Sequence, residues 1–285
     1  MNQRTVPADL DVGVIYTHER KFIEPLLTSL SGSCGSVRMR VVLVDNVSSG
    51  GVTKWQGLHE PTLVVRNSRR LHYAANLNRI LAHATARYVL LLNTDMYFDP
   101  AEQALAKLVD FMDATPEAGV VGCRLYHADG KFASPARRFP TPGVILARRL
   151  PRLWRRPESV ARHLYDEQSE TATFACEWLS GCLLLLRREC VDQVGGFDAG
   201  FRKYFEDVDY CWRARRAGWD VVYYGGTYAF HWEQRASQRV VSRDALQHMT
   251  SYARWLAKRA GAAMGRSRSQ EKRRSSQREQ RRRAA

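Results

Sequence analysis

The chain has 285 residues, 45% of them hydrophobic, enough to bury a substantial core as one large α/β domain or two smaller ones. No stretch approaches 18 consecutive apolar residues, and Met1 to Leu10 carries Arg4, Pro7 and Asp9 where a secretory leader would be apolar. Neither a bilayer span nor a signal peptide is therefore expected.

The first half alternates strand and helix. Asp11 to Tyr16 reads as a short apolar strand and Lys21 to Leu30 as a helix, after the polar break Thr17-His18-Glu19-Arg20. A second strand, Arg40 to Val44, ends in Asp45-Asn46 and the turn-rich run Val47 to Gly51. Leu63 to Arg66 is a third strand, and Ala74 to Ala86 a helix with Leu77, Ile80, Leu81 and Ala84 on one face. Tyr88 to Leu92 is a buried strand that stops abruptly at Asn93-Thr94-Asp95, and Pro100 to Ala114 is a helix with Pro in its first turn. This order predicts a mostly parallel sheet, in which carboxyl ends of strands line the ligand crevice. Asp95 at such an end suits a divalent cation held against a diphosphate; an ordinary Asn/Asp turn is the alternative.

The charge of +15 is localised. Residues 137–156 hold seven Arg and no acid, residues 265–285 hold nine Arg or Lys against two Glu, and the remainder is left at about +1. The first segment interleaves Phe139, Val144, Ile145, Leu146, Leu150, Leu153 and Trp154 with its arginines, the composition of an interfacial membrane element. Its prolines limit helix to about 143–150 and 158–168. A loop over an active site is the competing reading. The tail 265–285 has almost no apolar residues and is expected to be disordered and to meet polyanions, an anionic membrane surface or nucleic acid.

In the second half, Cys182 to Leu186 is a strand and a short helix stops at Gly195-Gly196-Phe197-Asp198. Tyr204-Phe205-Glu206-Asp207-Val208-Asp209 opens a helix running to Ala217, and the strand Trp219 to Tyr224 precedes His231-Trp232. First-turn acids are favoured by the helix dipole whatever their function. The six cysteines form no Cys-x-x-Cys pair and read as reduced, buried thiols of a cytosolic protein. Neither G-x-G-x-x-G nor G-x-x-x-x-G-K-[ST] occurs, so phosphate handling must come from a metal, side chains or other backbone groups.

Seven segments, in order, resemble the family-2 glycosyltransferases of GT-A fold, in their bacterial rhamnosyltransferase-like branch. Val12 to Arg20 is similar to the opening strand and P-T-Y-N-R loop, Val44 to Gly51 to V-D-N-x-S-x-D-G, and Tyr73 to Arg79 to G-F-A-x-A-x-N-x-G. Leu91 to Asp95 resembles L-L-N-P-D, this branch's form of the DxD motif. Glu177 to Gly181, Gly195 to Asp198 and Tyr204 to Asp209 follow in the family's order. The resemblance covers about residues 11–235 and implies one catalytic domain with a Rossmann-like, mostly parallel sheet flanked by helices. An extension would precede it at 1–10, and a helical segment at 236–264 would lead to the tail.

What the resemblance implies for the site follows residue by residue. Thr17, Glu19, Asp45, Asn78 and Asn93 would bind the donor nucleotide, Asp45 through an N–H of the base. Asp95 and His231 would hold Mn²⁺ or Mg²⁺, Asp207 would be the general base of an inverting transfer, and Trp178 and Asp209 would meet the acceptor. The donor would be a nucleotide-diphosphate sugar, with dTDP-rhamnose the branch's habit. The acceptor would be a glycan or polyprenyl-diphosphate-linked saccharide at the inner face of the cell membrane, for cell-surface polysaccharide. Departures fall on the donor side: His18-Glu19 replaces Tyr-Asn, Ser49-Gly50-Gly51 lacks an acid, and His72 and Thr94 stand where Gly and Pro are usual. A catalytically silent binding subunit, or a polyanion-binding protein acting through its tail, are the other readings.

Overall fold

The computed structural model describes residues 8–49, 51–52, 55, 62–149, 158–232 and 244–262. In chain order the strands are β1 (Leu10–Tyr16), β2 (Met39–Asp45), β3 (Thr62–Arg66), β4 (Tyr88–Leu92), β5 (Met96–Tyr97) and β6 (Ala118–Tyr126). They continue with β7 (Ala136–Arg137), β8 (Phe174–Ala175), β9 (Trp178–Leu179), β10 (Leu183–Arg187) and β11 (Asp220–His231). The helices are α1 (Arg20–Ser33), α2 (Tyr73–His83), α3 (Ala104–Ala114), α4 (Pro142–Arg149), α5 (Glu158–His163), α6 (Arg188–Val194), α7 (Glu206–Arg216) and α8, over 244–262.

The main sheet runs β3-β2-β1-β4-β10-β6-β11-β5, with β8 also on β11. β1 to β4 are mutually parallel, β10 is antiparallel to both β4 and β6, and β11 is parallel to β6. Carboxyl ends of β1 to β4, β6 and β11 therefore share one edge with the amino end of β10. The Val/Leu-rich strands are buried on both faces, as parallel strands require. α1 and α3 cover one face and α2, α6 and α7 the other. Gly13 is where α2 comes closest: a Cβ there would lie 2.3 Å from Ile80.

A third apolar cluster joins Phe201, Phe205 and Val208 to Ile145 of α4 and to Tyr252 and Trp255 of α8. Its centre is an unusual turn. Tyr204 and Phe205 both have left-handed backbones, with φ of 68° and 69°. Such non-glycine residues cost on the order of 1–3 kcal/mol each and persist only when the surroundings over-determine them. Here Phe205 is held by Tyr252, Trp255 and His248, with ring centroids 5.1 to 5.9 Å away.

Three elements differ from expectation. The nine-residue β6, inserted between β10 and β11, has no counterpart in the sequence reading because two glycines break its apolar pattern. The helix expected over 100–114 divides at Gln103, whose φ of 53° separates a 3-10 turn from α3. The strand expected to end at Tyr224 runs on to His231. In the basic segment, Val144 and Ile145 are buried and Phe139 packs against the third cluster, so these side chains serve the core rather than a membrane. Leu150, Leu153, Trp154 and the tail 265–285 lie outside the described residues. No helix among the described residues is long and apolar enough to cross a membrane.

Candidate active site

Asp95 and His231 meet because β5 turns back beside the end of β11, with Met96 opposite His231. The imidazole Nε2 lies 3.3 Å from Asp95 Oδ1, and Trp232 N–H donates to the Asp95 carbonyl at 2.8 Å. Burial pulls the imidazole pKa down, but hydrogen bonds with Asp95 and Cys182 outweigh it and hold the value at about 10. One oxygen and one nitrogen donor thus stand side by side. Among the described residues no group of three or more His, Cys, Asp or Glu is placed to hold a metal ion by itself. This donor set fits a divalent ion that takes its remaining ligands from a bound substrate or water.

Asp207 sits in the first turn of α7, directly after the left-handed pair. Its Oδ2 accepts from Gly181 N–H at 2.9 Å and its Oδ1 from Val208 N–H at 2.8 Å. Gly181 is close enough that a Cβ would press on the carboxylate at 3.3 Å. Burial raises the Asp207 pKa, opposed by the Gly181 and Val208 amides and by the charge of Arg137. The neighbouring Glu206 is raised to about 8, by burial and then by Asp207 itself. Burial thus raises both carboxyls, and the Asp207 charge further disfavours ionisation of Glu206.

Tyr73 joins the two centres. Its hydroxyl lies 2.9 Å from Asn93 Oδ1 and 3.2 Å from the Gly181 carbonyl. It thus bridges the segment leading to Asp95 and the residue whose amide holds Asp207. Burial pushes its phenol well above the usual range, and the charges of Glu206, Cys182, Asp207 and Asp95 add to that. Tyr73 therefore stands between Asp95 and Asp207, 112 positions apart in the chain, and feels the charge of both. Tyr73 was read as part of a matching segment but not as a site residue; the available signal was a hydroxyl-bearing ring where the family pattern has Phe.

The other expected residues divide into two groups. Thr17, Glu19 and Asp45 lie at the ends of β1 and β2 on the same edge. Glu19 Oε2 accepts from the Thr17 and His18 amides at 3.0 and 2.8 Å, and Asp45 Oδ1 from Ser48 N–H at 2.8 Å. Arg20 ties these loops together by donating to the Ser49 carbonyl. Buried Asn46 braces them from beneath, with partners Thr17, Asn67 and both backbone groups of Leu71. Asn78 behaves differently: its amide donates to the Phe197 carbonyl and accepts from the Phe197 N–H, at 2.8 and 2.7 Å. Both ends of that side chain are spent clamping α2 to the Gly195-Gly196-Phe197 turn.

On the opposite side, Trp178 is half-buried and its indole N–H donates to the Arg138 carbonyl at 2.9 Å. Asp209 has no exposed surface; Arg213 and Lys258 hold its two oxygens at 2.8 and 2.7 Å. Lys258 also reaches Asp198. Asp209 therefore anchors α8 and the glycine turn to α7 and is not brought to the open edge.

The family model described as glycosyl transferase family 2 matches residues 11–209, from β1 into α7. An N-acetylglucosaminyl-diphospho-decaprenol L-rhamnosyltransferase of Mycobacterium tuberculosis is 29% identical over 227 residues, 74% of this chain and 73% of its own length. The O-antigen biosynthesis protein RfbC of Myxococcus xanthus is 28% identical over 240 residues, 81% of this chain but 18% of that protein. Among solved structures, a mannosyltransferase from Pyrobaculum calidifontis in complex with GDP-Man and Mn2+ superposes with a TM-score of 0.56 at 19% identity, covering 81% of this chain and 59% of that one. At that identity the likeness carries the fold alone. With the paired acidic centres on the strand-end edge and the family match across most of the chain, the protein belongs to glycosyl transferase family 2 and is a glycosyltransferase of GT-A-like fold.

Proposed function

We propose that the enzyme moves a sugar, rhamnose from dTDP-rhamnose in the leading reading, from a nucleotide-diphosphate donor to a hydroxyl of a lipid-linked saccharide. The relatives' names support the sugar and the acceptor class. The observation that supports the mechanism is the Tyr73 bridge between Asn93 and Gly181, the residue whose amide donates to Asp207. One carboxylate suits inversion, since no glycosyl-enzyme ester has to form. Asp207 accepts the proton of the acceptor hydroxyl as that oxygen bonds to the anomeric carbon, and the nucleoside diphosphate leaves with the electron pair of the broken C–O bond. The Gly181 and Val208 amides keep the base aimed and anionic.

Thr17, Glu19 and Asp45 form the nucleotide end of the cleft, where the Asp45 carboxylate accepts a base N–H. Asn93 presents its amide nitrogen towards the donor, because its oxygen is taken by Tyr73. Asp95 and His231 would hold Mn²⁺ or Mg²⁺, which when bound neutralises the departing diphosphate. His231 has to shed its proton to take part. Trp178 offers a ring face to the acceptor sugar, while Asn78 and Asp209 act by positioning the walls. This reading sets the reaction on the cytoplasmic face of the membrane, where nucleotide sugars and a lipid-linked acceptor meet.

A panel of nucleotide sugars with and without Mn²⁺, followed by thermal shift and then by transfer to a lipid-linked disaccharide, tests the proposal. One donor should stabilise the protein selectively and in a metal-dependent way that Asp95→Ala abolishes. Equal stabilisation by all donors, unchanged in Asp95→Ala, would count against it.

A further inference from the structure

Large apolar side chains are exposed at six described positions: Val47, Phe132, Leu146, Leu246, Met249 and Leu256. Three of the six lie on α8, and Leu246 is the most open, at 69%. Leu246, Met249 and Leu256, with exposed Ala253 and Ala260, follow a 3-4-3-4 spacing. At 100° per residue they form one stripe about 80° wide. The buried side of the helix is elsewhere: Tyr252 and Trp255 belong to the third cluster, and buried Ser251 donates to the Lys203 carbonyl. α8 is therefore apolar twice over, and the fold uses only one of the two faces.

We propose that this outer stripe docks α8 on an anionic phospholipid surface, a step that gains its purpose from the lipid-linked acceptor in the reading above. Charge selects the occupant. The only acid of α8, Asp244, is paired with Lys203. Arg254 and Lys258 pair with Asp198, whereas Arg259 is held over the rings of Phe139 and Trp255. The chain then continues into residues 265–285, which carry +7. An apolar stripe bordered by basic residues is the pattern of a helix lying in a headgroup layer. A second copy is a poor occupant, because pairing two stripes would bring two +7 segments together. Nucleic acid would leave the leucines without a partner.

The location matters. Trp255 and Tyr252 of the same helix brace Phe205, the left-handed residue directly before Glu206 and Asp207. Docking through α8 sets on the headgroups the helix that braces the turn carrying the proposed base, on the side where a lipid-linked saccharide arrives.

The test is sedimentation of the full chain with vesicles of phosphatidylglycerol and phosphatidylcholine, against phosphatidylcholine alone, for the parent and for L246D/M249D/L256D. The parent should bind the anionic vesicles, and the triple variant should lose roughly a hundredfold in partitioning, the removal of three interfacial side chains. Its Tm and its donor-induced thermal shift should stay those of the parent, since all three positions are exposed. Equal binding by parent and variant overturns the proposal, because the tail then suffices. So does a parent dimer in light scattering that the variant splits, which would make a second copy the occupant. Vesicle binding needs no sugar transfer, so loss of the transferase reading and loss of this one are separately visible.

Discussion

Replacing Asp207 with Asn tests the centre of the mechanism. The carboxylate accepts two backbone N–H groups, from Gly181 and Val208, and in the proposal also takes the acceptor's proton. An amide fits the same space but has one accepting atom. Its NH₂ must then oppose one of those N–H groups, leaving a donor unpaired at about 1–3 kcal/mol. Spread over a domain of this size, that is a fall in Tm of roughly 2–4 °C per kcal/mol, leaving a folded protein. Turnover should fall far more. The amide cannot take a proton at any working pH, and general-base catalysis contributes on the order of 10²–10⁴-fold. Glu206 should respond too, because the neighbouring charge that helps to raise it is gone and its pKa falls below about 8. Nucleoside-diphosphate release in the presence of acceptor reads kcat, and donor titration by thermal shift reads binding. A variant with near-parental kcat would refute the assignment. A variant that loses donor binding together with turnover would place Asp207 on the donor instead.

Tyr73→Phe removes only the hydroxyl between Asn93 and Gly181; kcat should fall about tenfold, one hydrogen bond's worth, with Tm shifted by only a few degrees, in a steady-state assay against both substrates. Glu206→Gln probes linkage. The folded-state pKa of Glu206 is raised from 4.5 to about 8, so in that window the folded state holds a proton that the unfolded state releases, and stability falls as pH rises. Urea denaturation of the Gln variant between pH 5 and 8 should show a flatter pH dependence than the parent; parallel curves would contradict the raised pKa. Asp209→Ala strands Arg213 and part of Lys258 around a buried site and should cost about 3–5 kcal/mol of stability in the same denaturation assay. Preserved stability with a raised acceptor KM would restore Asp209 to the acceptor site.

Several features were legible before any coordinates because they are local. Runs such as Val-Leu-Leu-Leu and the 3.6-residue spacing of Leu77, Ile80 and Leu81 specify burial and period directly. The polar ends of β1, β2 and β4 place Thr17, Glu19, Asp45, Asn93 and Asp95 at one edge once the sheet is parallel. Resemblance to a known family supplied roles that spacing could not, including His231. β6 escaped because Gly119 and Gly122 interrupt its apolar pattern, yet Trp219 and Leu179 need those gaps. Asp207 and Asp209 stand two residues apart in the first turn of α7, and a sequence does not say which of two such acids is sealed between cations.

Chain order and side-chain chemistry by themselves determined the strand–helix alternation, the acids at the strand ends and the two concentrations of positive charge. Tertiary structure alone decided which side chains those acids meet. Antiparallel pairing at the end of β11 brings His231 to Asp95, and the Tyr73 hydroxyl links Asn93 to the Gly181 loop that grips Asp207. Those contacts span tens to more than a hundred residues, so they exist only after the sheet has closed the distance. The difference between Asp207, held by two amides at the cleft, and Asp209, sealed between two cations, is likewise set by what packs around α7.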